Sequence, residues 1–422
     1  MAAPVRDVSG AAIRFPVPRR KKGRPAFSIL SPLARGRGRV YNGPMKNVTT
    51  KKRGLAAIFR LCPVRHVLIL LNAGIIGLHL ATRGNHDLNR RLSEGFVRPV
   101  HRFLSRVTNV LPFSAAELLI ALAVLGGLGY LLWQFLQILR RRGWKQRLYR
   151  IVTALLCAGT VFYGGFCLLW GVFYYGDDFM AQSGLPREKI SVEQLERVTA
   201  YFADLANEYA PRVPRDGEGV CALDRRSVLA RSPEVYLGLE EQFPCLAGPE
   251  VRAKGVLCSR VMSLIDFTGF FFPFTAEANV NLDFPTSLLP STVAHELAHQ
   301  RGVAKEQEAN FVAVLACLDY GDPEYVYSAA LLAYTHLGNA LYAADREAWA
   351  RIYESLSDPV RRDFAANRAY WKQFETPVRE ASNTVYEGFL QSYDQELGLK
   401  SYGACVDLLV NYYYTARQGQ EK

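Results

Sequence analysis

The chain has 422 residues, enough for two or three folding units, and half of them are hydrophobic. Its formal net charge of +12 would suggest a nucleic-acid binder if it were evenly spread, but residues 1–65 carry 16 Lys/Arg and one acid, whereas 176–422 carry 23 basic and 35 acidic residues. Positive charge gathered in a tail and in loops beside apolar runs is the pattern of a membrane protein, and it argues against nucleic acid as a partner.

Residues 1–60 are rich in Arg, Lys, Gly and Pro and lack apolar periodicity, so they read as a basic disordered tail on the cytoplasmic side. Met45, followed by Lys46 and by Lys51, Lys52 and Arg53, is a second candidate start. Residues 61–175 read as a membrane region with spans at about 66–82, 115–139 and 151–175. The first run is short and interrupted by Asn72. The third contains Gly159, Gly164, Gly165 and Gly171, small residues that permit close helix contact. The loop Arg140–Arg150 holds six basic residues and no acid. Placing it and the tail inside gives three crossings, with residues 176–422 delivered to the extracytoplasmic side of the cell membrane. Between the first two runs, Leu88, Leu92, Phe96, Val100 and Leu104 repeat every four residues, as an interfacial amphipathic helix would require.

Residues 176–422 read as an extracytoplasmic domain. Val192–Tyr209 has helical amphipathicity, 211–260 suggests loops and short helices, and helical patterns run from Ser291 onward. Gly269–Pro285 reads as extended, with polar residues alternating at Glu277, Asn279, Asn281 and Asp283. The expected fold class is therefore mainly α: three transmembrane helices, then a mostly helical domain with a small β element. No CxxC pair occurs among the eight cysteines, which disfavours a cysteine-based zinc or redox site. Cys221, Cys245 and Cys258 are the pool for any disulfide outside the cytoplasm.

The chemistry concentrates in Ser291–Gly302, STVAHELAHQRG. On a helix His295 and His299 project from one face a turn apart, where two imidazoles can share one Zn²⁺. Glu296 is displaced toward the open side of the metal, where it can take a proton from a water held there. Ser291 or Thr292 can cap the helix start. Two ordinary histidines on a helix surface are the bland alternative. A third ligand must follow. Gly302 can take the left-handed conformation that ends a helix, letting the chain reverse and bring Glu306 or Glu308 back. Residues i and i+2 face nearly opposite ways, so only one of the two can serve. The small side chains Ala309, Asn310 and Ala313 beside Glu306 favour it, while Glu308 shares its stripe with core-like Val312 and Leu315. His336 is the remaining possibility as ligand.

HELAHQRG followed by KEQEANF resembles the zincin metallopeptidases with a HExxH…E ligand set, and Glu306–Asn310 is similar to their glutamate-bearing helix, which implies Glu306 as ligand. The layout of residues 65–415, including PFTAEANVN (Pro273–Asn281) and SYGACVDLL (Ser401–Leu409), also resembles a bacterial family of multi-pass membrane proteins with a domain of unknown function. That resemblance implies an architecture and a zinc site, not a substrate. The zincin resemblance further implies that peptide main chain lies along a strand edge beside the metal helix, here Gly269–Asn281. His336, Tyr386 and Tyr402 are candidate donors to a developing oxyanion.

The expected function is that of a membrane-anchored zinc metalloendopeptidase acting on a protein or peptide at or outside the bilayer. A non-catalytic zinc-binding receptor or scaffold is the alternative. An intramembrane protease would bury the motif in an apolar span, yet Gln300, Arg301, Lys305, Glu306 and Glu308 follow at once. His66, His79, His86 and His101 lack ligand spacing and read as structural.

Overall fold

In the computed structural model, which describes residues 59–140, 143–185, 188–393 and 402–420, Pro63–Thr82 forms the first long apolar helix, α1. The tail expected over 1–60 lies almost wholly outside the described residues. Proline suits the first turn of α1, where its missing N–H would lack a partner anyway.

The connection that follows is itself helical: α2 (His86–Leu92), a π-helical turn (Ser93–Val97) and α3 (Arg98–Asn109). Its buried stripe is Asn89, Ser93, Val97, His101 and Ser105, one position along from the apolar repeat Leu88, Leu92, Phe96, Val100 and Leu104, of which Phe96 stays exposed. Asn89 donates to the nearby carbonyls of Thr82 and Asn85, and Arg98 donates to the carbonyl of Cys245, which ties this connection to the folded region.

Two further apolar helices, α4 (Ala115–Leu139) and α5 (Trp144–Leu169), are long and apolar enough to cross a membrane, as α1 is, and all three leave most of their surface facing outward. The third run thus begins seven residues before the expected start at 151 and ends six before 175. The aromatic stretch after Leu169 is apolar for a different reason. Trp170, Val172 and Phe173 are buried with Val97 and Ala304 in a small core of their own. Of the third run's glycines, Gly164 faces Asn72 of α1 and Gly165 faces Phe274, while Gly159 has open space around it.

The remaining helices are α6 (Phe179–Ser183), α7 (Val192–Tyr209), α8 (Arg225–Arg231), α9 (Leu237–Gln242) and, after strand β1 (Lys254–Gly255), α10 (Ser259–Leu264). Then come β2 (Gly269–Phe272), β3 (Glu277–Val280), α11 (Leu289–Gln300), α12 (Glu306–Tyr320), α13 (Pro323–Ala344), α14 (Arg346–Ser355), α15 (Asp358–Lys372), α16 (Pro377–Ser392) and α17 (Tyr402–Gln420). Ser191 and Gln194 close a reciprocal capping box on α7. The fold is mainly helical, with one three-stranded sheet ordered β1–β3–β2. β1 runs parallel and β2 antiparallel to the central β3, with Gly269 opposite Val280 and Phe272 opposite Glu277.

All four residues of β3 are buried, so the polar alternation expected there does not mark a solvent face. Instead, each polar side chain anchors a neighbour. Glu277 accepts from the N–H groups of Ala115 and Ala116 at the start of α4, Asn279 accepts from Ser114, and Asn281 donates to Ser263 and to the Phe267 carbonyl. The main core is built around α12 and α13. Phe311, Val312, Ala313, Val314 and Ala316 are fully enclosed, as a helix that is apolar all round demands, and Tyr325, Tyr327, Leu331 and Leu337 join them. All eight cysteines are thiols. Cys221 lies under Asp363, Cys245 beside Arg98 and Cys258 beside Glu117, which keeps the expected disulfide pool apart.

Candidate metal centre

The motif helix α11 starts at Leu289, two residues before the expected cap. Ser291 and Thr292 turn their hydroxyls back to the Leu288 carbonyl, and the N–H of Ser291 is satisfied by Ser328 of α13. The helix ends in a Schellman turn: Gly302 sits at φ +85°, its N–H bonds to the His299 carbonyl, and the Val303 N–H bonds to Ala298. A side chain at Gly302 would also strike Phe173. This turn has a second effect. It brings the Val303 carbonyl to 2.7 Å from Nδ1 of His299. A carbonyl only accepts, so Nδ1 carries the proton and Nε2 is left to face the cleft.

Each residue of HELAHQRG has a place. Leu297 and Ala298 enter the core; Gln300 donates to the Ala276 carbonyl in the β2–β3 turn; Arg301 is buried over the Tyr236 ring and donates to Glu240. The side chains that remain are His295, Glu296 and His299.

After the reversal, α12 begins at Glu306 and returns its carboxylate to the two imidazoles. Nε2 of His295 and Nε2 of His299 are 3.0 Å apart, and Glu306 lies 3.2 Å from the first and 3.6 Å from the second. Three ligand atoms within 4.8 Å of one another are a metal-sized cluster. Glu308, the alternative ligand, points the other way: its carboxylate accepts from the N–H groups of Phe179 and Met180 at the start of α6. The i, i+2 geometry separates the two glutamates as the sequence requires. His336 is buried on α13 and is not among the residues lining the cleft; burial and the neighbouring His295 push it down to about 4. The side chain of Tyr402 lies outside the described residues.

Tyr386, expected as an oxyanion donor, instead donates to Glu306 at 2.7 Å. Burial and the adjacent Glu306 hold its hydroxyl well above the usual tyrosine range, so it remains a donor. It orients the carboxylate. Replacing Tyr386 with phenylalanine is expected to weaken the affinity of this cluster for any divalent ion about 10- to 100-fold, the usual cost of losing a hydrogen bond to a ligand. A chelator-competition titration of the full-length protein would show it; unchanged affinity would remove this role.

The electrostatics of the cluster are those of a site built for positive charge. Burial opposes a charge on His299, but Glu306 and the Val303 carbonyl outweigh it and raise the imidazole to about 9. Burial likewise opposes the Glu306 carboxylate, yet His299 and His295 hold it well below the ordinary glutamate range. A proton thus sits where a divalent cation would satisfy the same three side chains. Glu296 differs. Burial pushes it up to about 7 against the pull of His295 and His299, and its Oε2 has no hydrogen-bond partner among the described residues.

These groups open into a cleft of about 530 Å³ lined by Thr268–Phe271, Tyr386 and, at one end, Phe166, Trp170, Tyr174 and Phe389. Gly269 lies so close to Glu296 that an added Cβ would come within 2.6 Å of its Cγ. Trp170 sets its ring edge-on to His299, 5.9 Å between centroids. At the other end Asp266, at φ +67°, is held by Arg379 and Asn383. Trp170, Arg379, Asn383 and Phe389 were not legible as site residues. The only signal was the density of aromatics in WGVFYY, which reads equally well as membrane.

No curated protein and no solved structure matches the chain. A family model described as "Protein of unknown function (DUF3810)" matches residues 92–410, which takes in α3 to α16, His295, His299 and Glu306 and the whole sheet, and the chain belongs to that family.

Proposed function

We propose that this protein is a membrane-anchored, zinc-dependent peptidase acting on a protein or peptide at or outside the membrane. One observation carries the reading. His295, His299 and Glu306 bring three ligand atoms within 4.8 Å of one another, and the buried carboxylate of Glu296, in the same cleft, abuts the edge strand at Gly269. The donor set suits zinc, since two imidazoles and a carboxylate are a known catalytic combination that leaves a further position open. His295, His299 and Glu306 would hold the ion. When bound there, zinc supplies a Lewis acid that polarises a carbonyl and acidifies a coordinated water.

The chain's own residues supply the rest. Glu296 accepts a proton at Oε2, which has no other hydrogen-bond partner among the described residues, and returns it to the leaving amine. Val303 keeps His299 in one tautomer, and Tyr386 fixes Glu306. The backbone of Gly269–Phe271 offers an extended peptide a strand to lie against. The basic loop Arg140–Arg150 favours the cytoplasmic side, which supports an extracytoplasmic position for residues 176–422.

The test uses full-length protein in nanodiscs and a randomised decapeptide mixture, free or carrying a palmitoyl chain, read by mass spectrometry. Cleavage that stops when zinc is chelated and resumes when zinc is returned supports the reading. Bound zinc without cleavage supports the receptor alternative.

A further inference from the structure

We propose that the centre cuts polypeptides anchored in the bilayer, within a few residues of the membrane surface; this rests on the peptidase reading above and names its substrate class. The cleft is continuous with a membrane helix. Phe166, in the last turn of α5, lines it, and Trp170 and Tyr174 follow just beyond the helix end. At 1.5 Å per residue, Phe166 lies about 5 Å from Leu169 along the axis, so the cluster sits beside the mouth of the span.

Strand β2 leads from that span to the cluster. In the order β1–β3–β2 it occupies a sheet edge. Its first residue, Gly269, abuts Glu296. Its last, Phe272, enters the turn in which Phe274 lies against Gly165 and stacks on Phe162 of α5, 5.4 Å between centroids. Phe162 is about 10 Å back from the end of α5, within the apolar length of the span. A four-residue strand covers about 13 Å. An extended chain paired with β2 therefore leaves the lipid and reaches Glu296 within about four to six residues.

The height of the cluster above the membrane helices is fixed rather than tethered. Glu277 caps the start of α4 through two backbone N–H groups, and Ser114 donates to Asn279 at 2.6 Å. Glu117 of α4 in turn accepts from the N–H groups of Leu257 and Cys258. Asp266, Thr268 and Arg379 line both this cleft and a neighbouring cavity of about 510 Å³, whose wall combines the rings of Tyr334, Trp349 and Trp371 with the charged side chains of Arg368, Lys372 and Glu375. A polypeptide entering from the lipid would thus pass an aromatic wall and the cluster before it reaches this second cavity.

The proposal is tested by mapping new protein N-termini in membranes from cells producing the full-length protein or its Glu296→Gln variant. Glu296-dependent termini are expected within about ten residues of a membrane span or lipid anchor, the reach of an extended segment across the cleft. Moving one such site outward with a flexible spacer of about 20 residues should lower its cleavage at least tenfold. Termini scattered through soluble proteins, or cleavage indifferent to the spacer, overturn the proposal and leave the peptidase reading standing. The absence of any Glu296-dependent terminus overturns both.

Discussion

Replacing Glu296 with glutamine is expected to lower peptide hydrolysis by about 10²- to 10⁴-fold, the range for loss of a general base, while zinc remains bound. Glutamine keeps the shape of the side chain beside Gly269 and leaves His295, His299 and Glu306 untouched, so nothing that holds a metal is lost. What disappears is the capacity to take up a proton. Hydrolysis and metal content must therefore separate. A variant that cleaves at the wild-type rate would remove Glu296 from the mechanism; one that loses its zinc as well would show a structural role instead.

The largest effect on stability is expected away from the cleft, at Asp363 on α15. Its carboxylate is buried and accepts from the Cys221 N–H at 2.7 Å, from Arg215 and from the Tyr327 hydroxyl. It ties the loop before α8 to the central helix α13. Changing Asp363 to alanine takes the counter-charge from the guanidinium of Arg215, which is only 16% exposed and keeps just the Ala210 and Gly219 carbonyls and the Tyr327 hydroxyl, and leaves the buried Cys221 N–H and Tyr327 O–H without their acceptor. Breaking a buried pair in this way costs about 3–5 kcal/mol. Chemical denaturation of the detergent-solubilised protein should show a loss of that size, with zinc content per folded molecule unchanged. A loss under about 1 kcal/mol would mean that water reaches and satisfies these groups.

Much of the site could be read from spacing because the chemistry is local. His295 and His299 are one helical turn apart, and the left-handed Gly302 returns the chain so that Glu306, seven residues past His299, meets them. The opposed directions of Glu306 and Glu308 follow from helix geometry alone. What could not be read is non-local. Tyr386 reaches Glu306 from a helix 80 residues later, and no periodicity in α16 announces that. Glu277, Asn279 and Asn281 alternate as polar residues in the sequence, but alternation does not say whether a polar residue meets water or a partner, and here they cap and anchor α4 and α10. Along α2 and α3, Asn89 and Ser93 face inward and Phe96 outward, where an interfacial helix would carry its apolar side. The end of the third apolar run was misjudged because Trp170–Tyr175 is as apolar as a bilayer span but serves as core beside His299.

The whole account depends on a divalent ion shared by α11 and α12, and X-ray absorption at the zinc edge of the full-length protein tests that most directly. One zinc per chain, with two imidazoles and a carboxylate oxygen in its shell and its signal lost in a His295→Ala, His299→Ala double variant, is the predicted result. A protein without stoichiometric zinc, or one whose zinc survives the loss of both histidines, would contradict it.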